Sequence, residues 1–327
     1  MGSLFSSNHT TEEVVSREVV TARTIYNTLN DLTSYLVILD LRSTSAFKES
    51  HIDLAVNPSC LNDMLRHTQQ SPFTTVIIYG ESKCNEDEEA KLFQFCTLMN
   101  RHRIKEQEGP LRVLHMHDFA SFYAEYPFQC TNHARYEEGR LYPSQIVDNI
   151  FLSNFGVASS KKVTNTLSVT HILNCTKDCP FVGEVYDVAD SAQALNAAIN
   201  PLDTGPCPTE TDGVPLSSSP SASTSTSTML LARIPVIDEK DQQIHEHFDN
   251  AIQFLSSMGP TDRAIIHCKH GQSRSATVAA AYLIHKYDWG VTEALDHLKA
   301  CRPKVCPNEG FISQLHKFAE QRKVFQK

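Results

Sequence analysis

The 327-residue chain contains no apolar run near the ~18 to 20 residues that span a bilayer, and its first residues lack the apolar stretch of a secretory signal. A cytoplasmic protein is expected. Positive charge is also in deficit: 29 Lys and Arg stand against 38 Asp and Glu, for a net charge of −9. No nucleic-acid-binding face is expected, so an anionic substrate has to be captured by a local site. The ten cysteines include no C-x-x-C pair or zinc-finger spacing. They read as buried or free thiols in a reducing compartment, with no metal centre and no cofactor. There is no internal repeat.

Apolar content fails locally. From Ser191 to Thr228 the chain runs through Gly-Pro-Cys-Pro and Ser217-Ser-Ser-Pro-Ser-Ala-Ser-Thr-Ser-Thr-Ser-Thr228, with almost nothing to bury in return for ordering. A disordered insertion is expected over 191–228. The strand-like runs Thr170–Asn174 and Arg233–Ile237 flank it, so it interrupts a domain without separating two. A polar, aperiodic stretch over 132–142 reads as the linker, and residues 1–17 as a disordered tail.

One stretch combines the residues for phosphate chemistry. The apolar run Arg263–His267 reads as a strand, and Ser275–Lys286, rich in helix formers and apolar throughout, as an internal helix. The turn between them is Cys268-Lys269-His270-Gly271-Gln272-Ser273-Arg274. A strand-to-helix turn aims successive N–H groups into one concavity at a helix N-terminus, where a phosphate dianion is favoured. Gly271 allows a tight turn, Arg274 offers a planar fork for two phosphate oxygens, and the same field lowers the pKa of a cysteine. Cys268 is therefore read as a nucleophile for phosphorus.

His267-Cys-Lys-His-Gly-Gln-Ser-Arg-Ser275 resembles the signature of dual-specificity protein phosphatases. Tyr142–Asn154 and Thr170–Asn174 are similar to that family's core strands, and Arg302–Leu315 to its last segment. The resemblance covers 143–327 and implies an α/β domain, a central sheet flanked by helices with a cysteine phosphate loop. It implies these roles: Cys268 as nucleophile; Arg274 and the backbone of Lys269, His270, Gly271, Gln272 and Ser273 as phosphate holders; Ser275 as donor to the departing sulfur. His267 would support the loop and the thiolate, and Asn308 would brace the loop. His270 stands where the family more often has a small residue. The general acid is expected directly after a strand, which favours Asp238 over Asp241.

Residues 18–131 carry a second resemblance. A helix over Val19–Leu29, strands Leu36–Asp40 and Thr74–Tyr79 and a helix over Glu88–Arg101 imply an α/β domain with a parallel sheet, similar to a rhodanese-like domain. It reads as inactive: Gly80 stands where sulfur transfer needs a cysteine, and Cys84 comes four residues later, before a run of acids that oppose a thiolate.

This order of domains resembles MAP kinase phosphatases, whose first domain docks kinases through clustered arginines. Here Asn62–His67 holds one arginine, Arg66, so a MAP kinase partner has weak support. The pattern through Lys299–Asn308 is closest to serine/threonine/tyrosine-interacting-like proteins, but with the cysteine retained. The resemblance implies a cysteine-dependent phosphatase acting on phosphotyrosine and phosphoserine/threonine in proteins. The alternative is a phosphoprotein-binding adaptor with incidental catalysis. Met1-Gly2-Ser-Leu-Phe-Ser6 matches the myristoylation pattern at Gly2. One acyl chain without a basic partner gives at most weak membrane association.

Overall fold

The computed structural model describes residues 15–31, 36–69, 74–81, 86–132, 142–181, 205–206 and 229–325. The chain divides into two units, Met1–Arg140 and Leu141–Lys327.

The first unit is built on a four-stranded parallel sheet of β1 (Val15–Val19), β5 (Leu111–Met116), β4 (Thr75–Tyr79) and β2 (Leu36–Asp40), in that order. β2 and β4 carry continuous apolar runs, Leu36–Leu39 and Val76–Ile78, as strands of a parallel sheet covered by helices do. Val37, Leu39, Val76, Ile78 and Val113 pack with Leu92, Phe95 and Met99 of the helix Glu86–Glu106. Asp40 is fully buried and is offset by Arg42, whose guanidinium lies 2.7 Å from the carboxylate and stacks over Phe119.

Two expectations change here. The domain begins at β1, so Val15–Arg17 are paired strand and not tail, and residues 1–14 lie outside the described residues. The first helix starts at Ala22, not Val19. Thr21 caps it, its hydroxyl accepting from the Thr24 N–H at 3.3 Å.

The second unit holds a six-stranded sheet in the order β10 (Gly205–Pro206), β11 (Leu230–Arg233), β9 (His171–Asn174), β12 (Ala264–Cys268), β8 (Ile150–Asn154), β7 (Ser144–Val147). The four inner strands are parallel; β7 and β10 pair antiparallel at the edges. The helix Arg274–Tyr287 is buried from Arg274 through Ile284, which accounts for the apolar run Val278–Ile284.

The strand expected over Arg233–Ile237 is displaced. Ladder pairing runs from Leu230 and ends with the Ile234 N–H on the Asn174 carbonyl, because Pro235 has no N–H to offer. Of the insertion expected over 191–228, all but Gly205 and Pro206 lies outside the described residues; those two form β10. Of the expected linker, 133–141 lies outside them as well. Tyr142 is buried in the second unit, and Thr131 of β6 (Cys130–Thr131) pairs antiparallel with His51 of β3 (His51–Ile52).

Candidate active site

Cys268 ends β12, a central parallel strand between β9 and β8, and the helix Arg274–Tyr287 begins six residues later. This is the carboxyl end of a parallel sheet at a helix N-terminus, where open α/β sheets bind ligands.

The loop can present its N–H groups because its carbonyls are taken from outside. Lys269 O accepts from the Phe155 N–H at 3.3 Å, Gln272 O from the Cys306 N–H at 2.9 Å, and Ser273 O from the Thr277 N–H and hydroxyl, each at 2.8 Å. Arg302 takes the two between, Nε donating to Gly271 O at 2.9 Å and Nη2 to His270 O at 3.4 Å. With every carbonyl from 269 to 273 turned away, the opposite edges of the peptides face the cysteine. Gly271 makes the turn at φ +66°, and a Cβ there would collide with the Ser153 carbonyl, meeting its carbon at 2.6 Å, and with Asn154 N at 2.9 Å. The side chains of Lys269, His270 and Gln272 are exposed, so these residues serve the loop through their backbone.

Cys268 is 1% exposed. It accepts from the Gly271 N–H and the Ser275 hydroxyl, both at 3.2 Å. Burial alone would raise its pKa. Hydrogen bonds from the Ser275 hydroxyl and from the Ser275 and Gln272 backbone, with the Arg274 charge, outweigh burial and hold it below the ordinary thiol value. Cys175 follows Asn174, whose partner in β12 is His267, so it lies beside Cys268. Burial, and then Cys268 itself, raise the Cys175 thiol well above normal. The two cysteines are set apart by which of them meets donors.

Arg274 is buried, its Nη1 donating to Val236 O at 3.3 Å and its Nε 3.6 Å from Asp238 Oδ2. Asp238 itself is exposed. Its Oδ1 accepts from the Ser273 hydroxyl at 2.6 Å and from Asn308 Nδ2 at 3.0 Å. Cys268, Arg274, Asp238, Ser275 and Asn308 are thus brought together around one loop.

Asn308, expected to brace the phosphate loop, reaches it through its N–H at Ser273 Oγ over 3.4 Å, while its side-chain amide goes to Asp238. His267 is expected to support the loop and the thiolate. It is fully buried, neither ring nitrogen makes a well-formed hydrogen bond, and burial, partly opposed by the Cys268 backbone, pushes its pKa down to about 4. A neutral imidazole gives the sulfur no charge; what it offers the loop is its contact with the Cys268 backbone. Arg302 was missed, since an arginine remote in sequence carries no mark of the carbonyls it binds.

In the first unit, Glu89, His115 and His117 bring ligand atoms within 4.8 Å of one another. Arg17 Nη2 already donates to both Glu89 oxygens at 2.8 Å and lies 3.0 Å from His115 Nδ1, so a guanidinium supplies the cation that cluster calls for.

Comparison with known proteins places this geometry. Residues 212–321 match the dual specificity phosphatase catalytic domain. The chain is 27% identical over 183 residues to dual specificity protein phosphatase 1 of Arabidopsis thaliana, covering 56% of this chain and 71% of that protein. It is 37% identical over 86 residues to protein phosphatase Slingshot homolog 3 of Rattus norvegicus, but this is 26% of the chain and 13% of the relative. A probable rhodanese domain-containing dual specificity protein phosphatase of Dictyostelium discoideum aligns over 92% of this chain and 69% of its own length at 22% identity. The second unit carries a dual specificity phosphatase catalytic domain, and the enzyme class is protein-tyrosine/dual-specificity phosphatase.

Proposed function

We propose that the second unit hydrolyses phosphotyrosine and phosphoserine/threonine in proteins through a cysteinyl-phosphate. The loop N–H groups and Arg274 hold the three peripheral phosphate oxygens. The Cys268 thiolate attacks phosphorus, an S–P bond forms, and the bond from phosphorus to the ester oxygen breaks. Asp238, protonated, gives its proton to that departing oxygen. Asp238 as carboxylate then takes a proton from water, whose oxygen attacks phosphorus. The S–P bond breaks, the Ser275 hydroxyl steadies the returning thiolate, and inorganic phosphate leaves.

The observation that carries this reading is the sulfur's setting, a buried Cys268 with donors from Gly271 and Ser275 inside a loop whose carbonyls all point outward. An adaptor would have no use for that setting, which counts against the non-catalytic alternative. The deciding experiment is release of phosphate from an aryl phosphate and from phosphopeptides by the full chain. Cys268→Ser removes hydrolysis and keeps substrate bound; hydrolysis that survives the substitution would overturn the mechanism.

The remaining assignments are part of the same proposal. The first unit is a rhodanese-like domain without sulfur transfer, a reading supported by its all-parallel sheet and by Gly80 directly after β4. The substrates of the second unit are phosphoproteins. Kinase docking gains little support, because Arg66 on the helix Leu61–Gln69 is paired with Asp63 at 3.2 Å. The protein works in the cytoplasm, with at most weak membrane association through Gly2, which lies outside the described residues. Among the described residues no helix is long and apolar enough to cross a membrane.

A further inference from the structure

The proton donor sits on a loop, and loops are the mobile part of a fold unless something holds them. Here the holding is done by the first turns of the helix Glu309–Phe325. Asn308 Nδ2 donates to Asp238 Oδ1 at 3.0 Å, while its own Oδ1 accepts from the Phe311 N–H at 3.0 Å and caps the helix. Two turns on, Gln314, 8% exposed, grips the far end of the same loop. Its Nε2 donates to Gln242 O at 2.9 Å, and its Oε1 accepts from the His245 N–H at 3.1 Å. Lys240 Nζ reaches Glu309 Oε2 at 2.8 Å, but both side chains are exposed and such a pair contributes little.

Between these grips the backbones touch. A Cβ on Gly310 would run into the Lys240 carbonyl, meeting its carbon at 2.7 Å and the Lys240 Cα at 2.8 Å. All of these are main-chain atoms, so no side chain can swing aside. The loop two residues after Asp238 therefore rests on the bare backbone of Gly310.

We propose that Gly310 is a positioning residue for proton transfer: the absence of its side chain sets the depth at which the Asp238 loop seats, and Gln314 keeps it there. This rests on the reading of Asp238 as the proton donor. A methyl group at 310 lifts the loop by about an ångström at an unyielding contact, and a misplacement of that size costs roughly 10² in rate. The loss falls mainly on the proton-dependent step, because Cys268 and the loop carbonyl contacts from Phe155, Arg302 and Cys306 involve no residue of the Asp238 loop, and the Arg274 hydrogen bond to that loop is made at Val236 O, ahead of the seat at Lys240.

The test uses full-length Gly310→Ala, Gln314→Ala and Asp238→Asn, each assayed on phosphotyrosine and on an aryl phosphate whose phenol departs without a proton. Inorganic vanadate reports the anion site. For Gly310→Ala the expected result is a loss of about 10² in kcat on phosphotyrosine, a few-fold change on the activated ester and unchanged vanadate inhibition. Adding Asp238→Asn should cost nothing more, since a displaced acid and an absent one are equivalent. Gln314→Ala introduces no collision and should show the same split at roughly 10-fold, the scale of one or two lost hydrogen bonds; it decides the matter if Gly310→Ala fails to fold. Equal losses on both substrates, or none on phosphotyrosine, would overturn the seating proposal. If Asp238→Asn itself shows no dependence on the leaving group, the failure lies with the identity of the acid and the seat has no proton donor to position.

Discussion

Ser273 Oγ donates to Asp238 Oδ1 across 2.6 Å, which ties the phosphate loop directly to the loop of the proton donor. The same hydroxyl accepts from the Asn308 N–H at 3.4 Å. One side chain thus joins three segments far apart in sequence.

Ser273→Ala leaves Asp238 with the Asn308 amide and the longer contact to Arg274. A hydrogen bond to a charged group contributes about 1.5 to 3 kcal/mol, so phosphotyrosine turnover should fall roughly 10- to 100-fold. The activated aryl ester should be affected less. Steady-state kinetics on the two substrates checks this, and equal losses would mean that the serine shapes the phosphate loop and not the acid.

Gly271→Ala should be the most damaging single change in the loop. The left-handed conformation alone costs a non-glycine residue about 1 to 2 kcal/mol, and the collision with Ser153 and Asn154 adds to it. We expect loss of both activity and vanadate binding, with a lower unfolding midpoint. A variant that melts earlier but hydrolyses normally would show that the loop tolerates another path.

The phosphate loop was legible in the sequence because its parts are neighbours in the chain. Cys268, Gly271, Arg274 and Ser275 fall within eight residues, and the apolar runs on either side announce a strand and a buried helix. What was not legible is what holds that loop in shape. Arg302, Gly310 and Gln314 act across the fold on backbone carbonyls or by offering no side chain, and neither act leaves a residue pattern. The same difference explains β1. Val-Ser-Arg-Glu-Val has too little apolar content to read as a strand alone, and it is one because β5 offers a register from Leu111 to His115. The environment of His267 was equally hidden, since its place before the cysteine gives no sign of complete burial or of the pKa near 4 that follows from it.

Ser275→Ala removes the foremost of the contacts that hold the Cys268 pKa down. The thiolate should then form at higher pH, and the pH at which iodoacetamide alkylation rises to half its maximum should move up. Loss of the hydroxyl also slows departure of sulfur in the second step, so a burst of phenol ahead of slow turnover should appear in rapid-mixing experiments. An unchanged alkylation profile would leave the backbone N–H groups and Arg274 as the whole cause of the depression.

The buried His267 predicts how the second unit responds to acid. Its folded pKa of about 4 lies below the ~6.5 of an unfolded histidine, so the unfolded chain takes up the proton first as pH falls. The contribution is fully present above pH ~6.5 and is lost between there and about 4, with an upper limit of about 3 kcal/mol for a gap of that size. His171, His247 and His285 in the same unit are also lowered by burial and act in the same direction, so the absolute slope cannot single out His267. The difference between wild type and His267→Gln can, because glutamine does not titrate. Urea unfolding followed by fluorescence of Trp289, the chain's one tryptophan and packed against the core of the second unit, reports that unit and no other. From pH 7 to 5 the wild-type midpoint should fall more steeply than that of the variant. Parallel slopes would place the proton on His267 in the folded state, and with it a charge beside the thiolate.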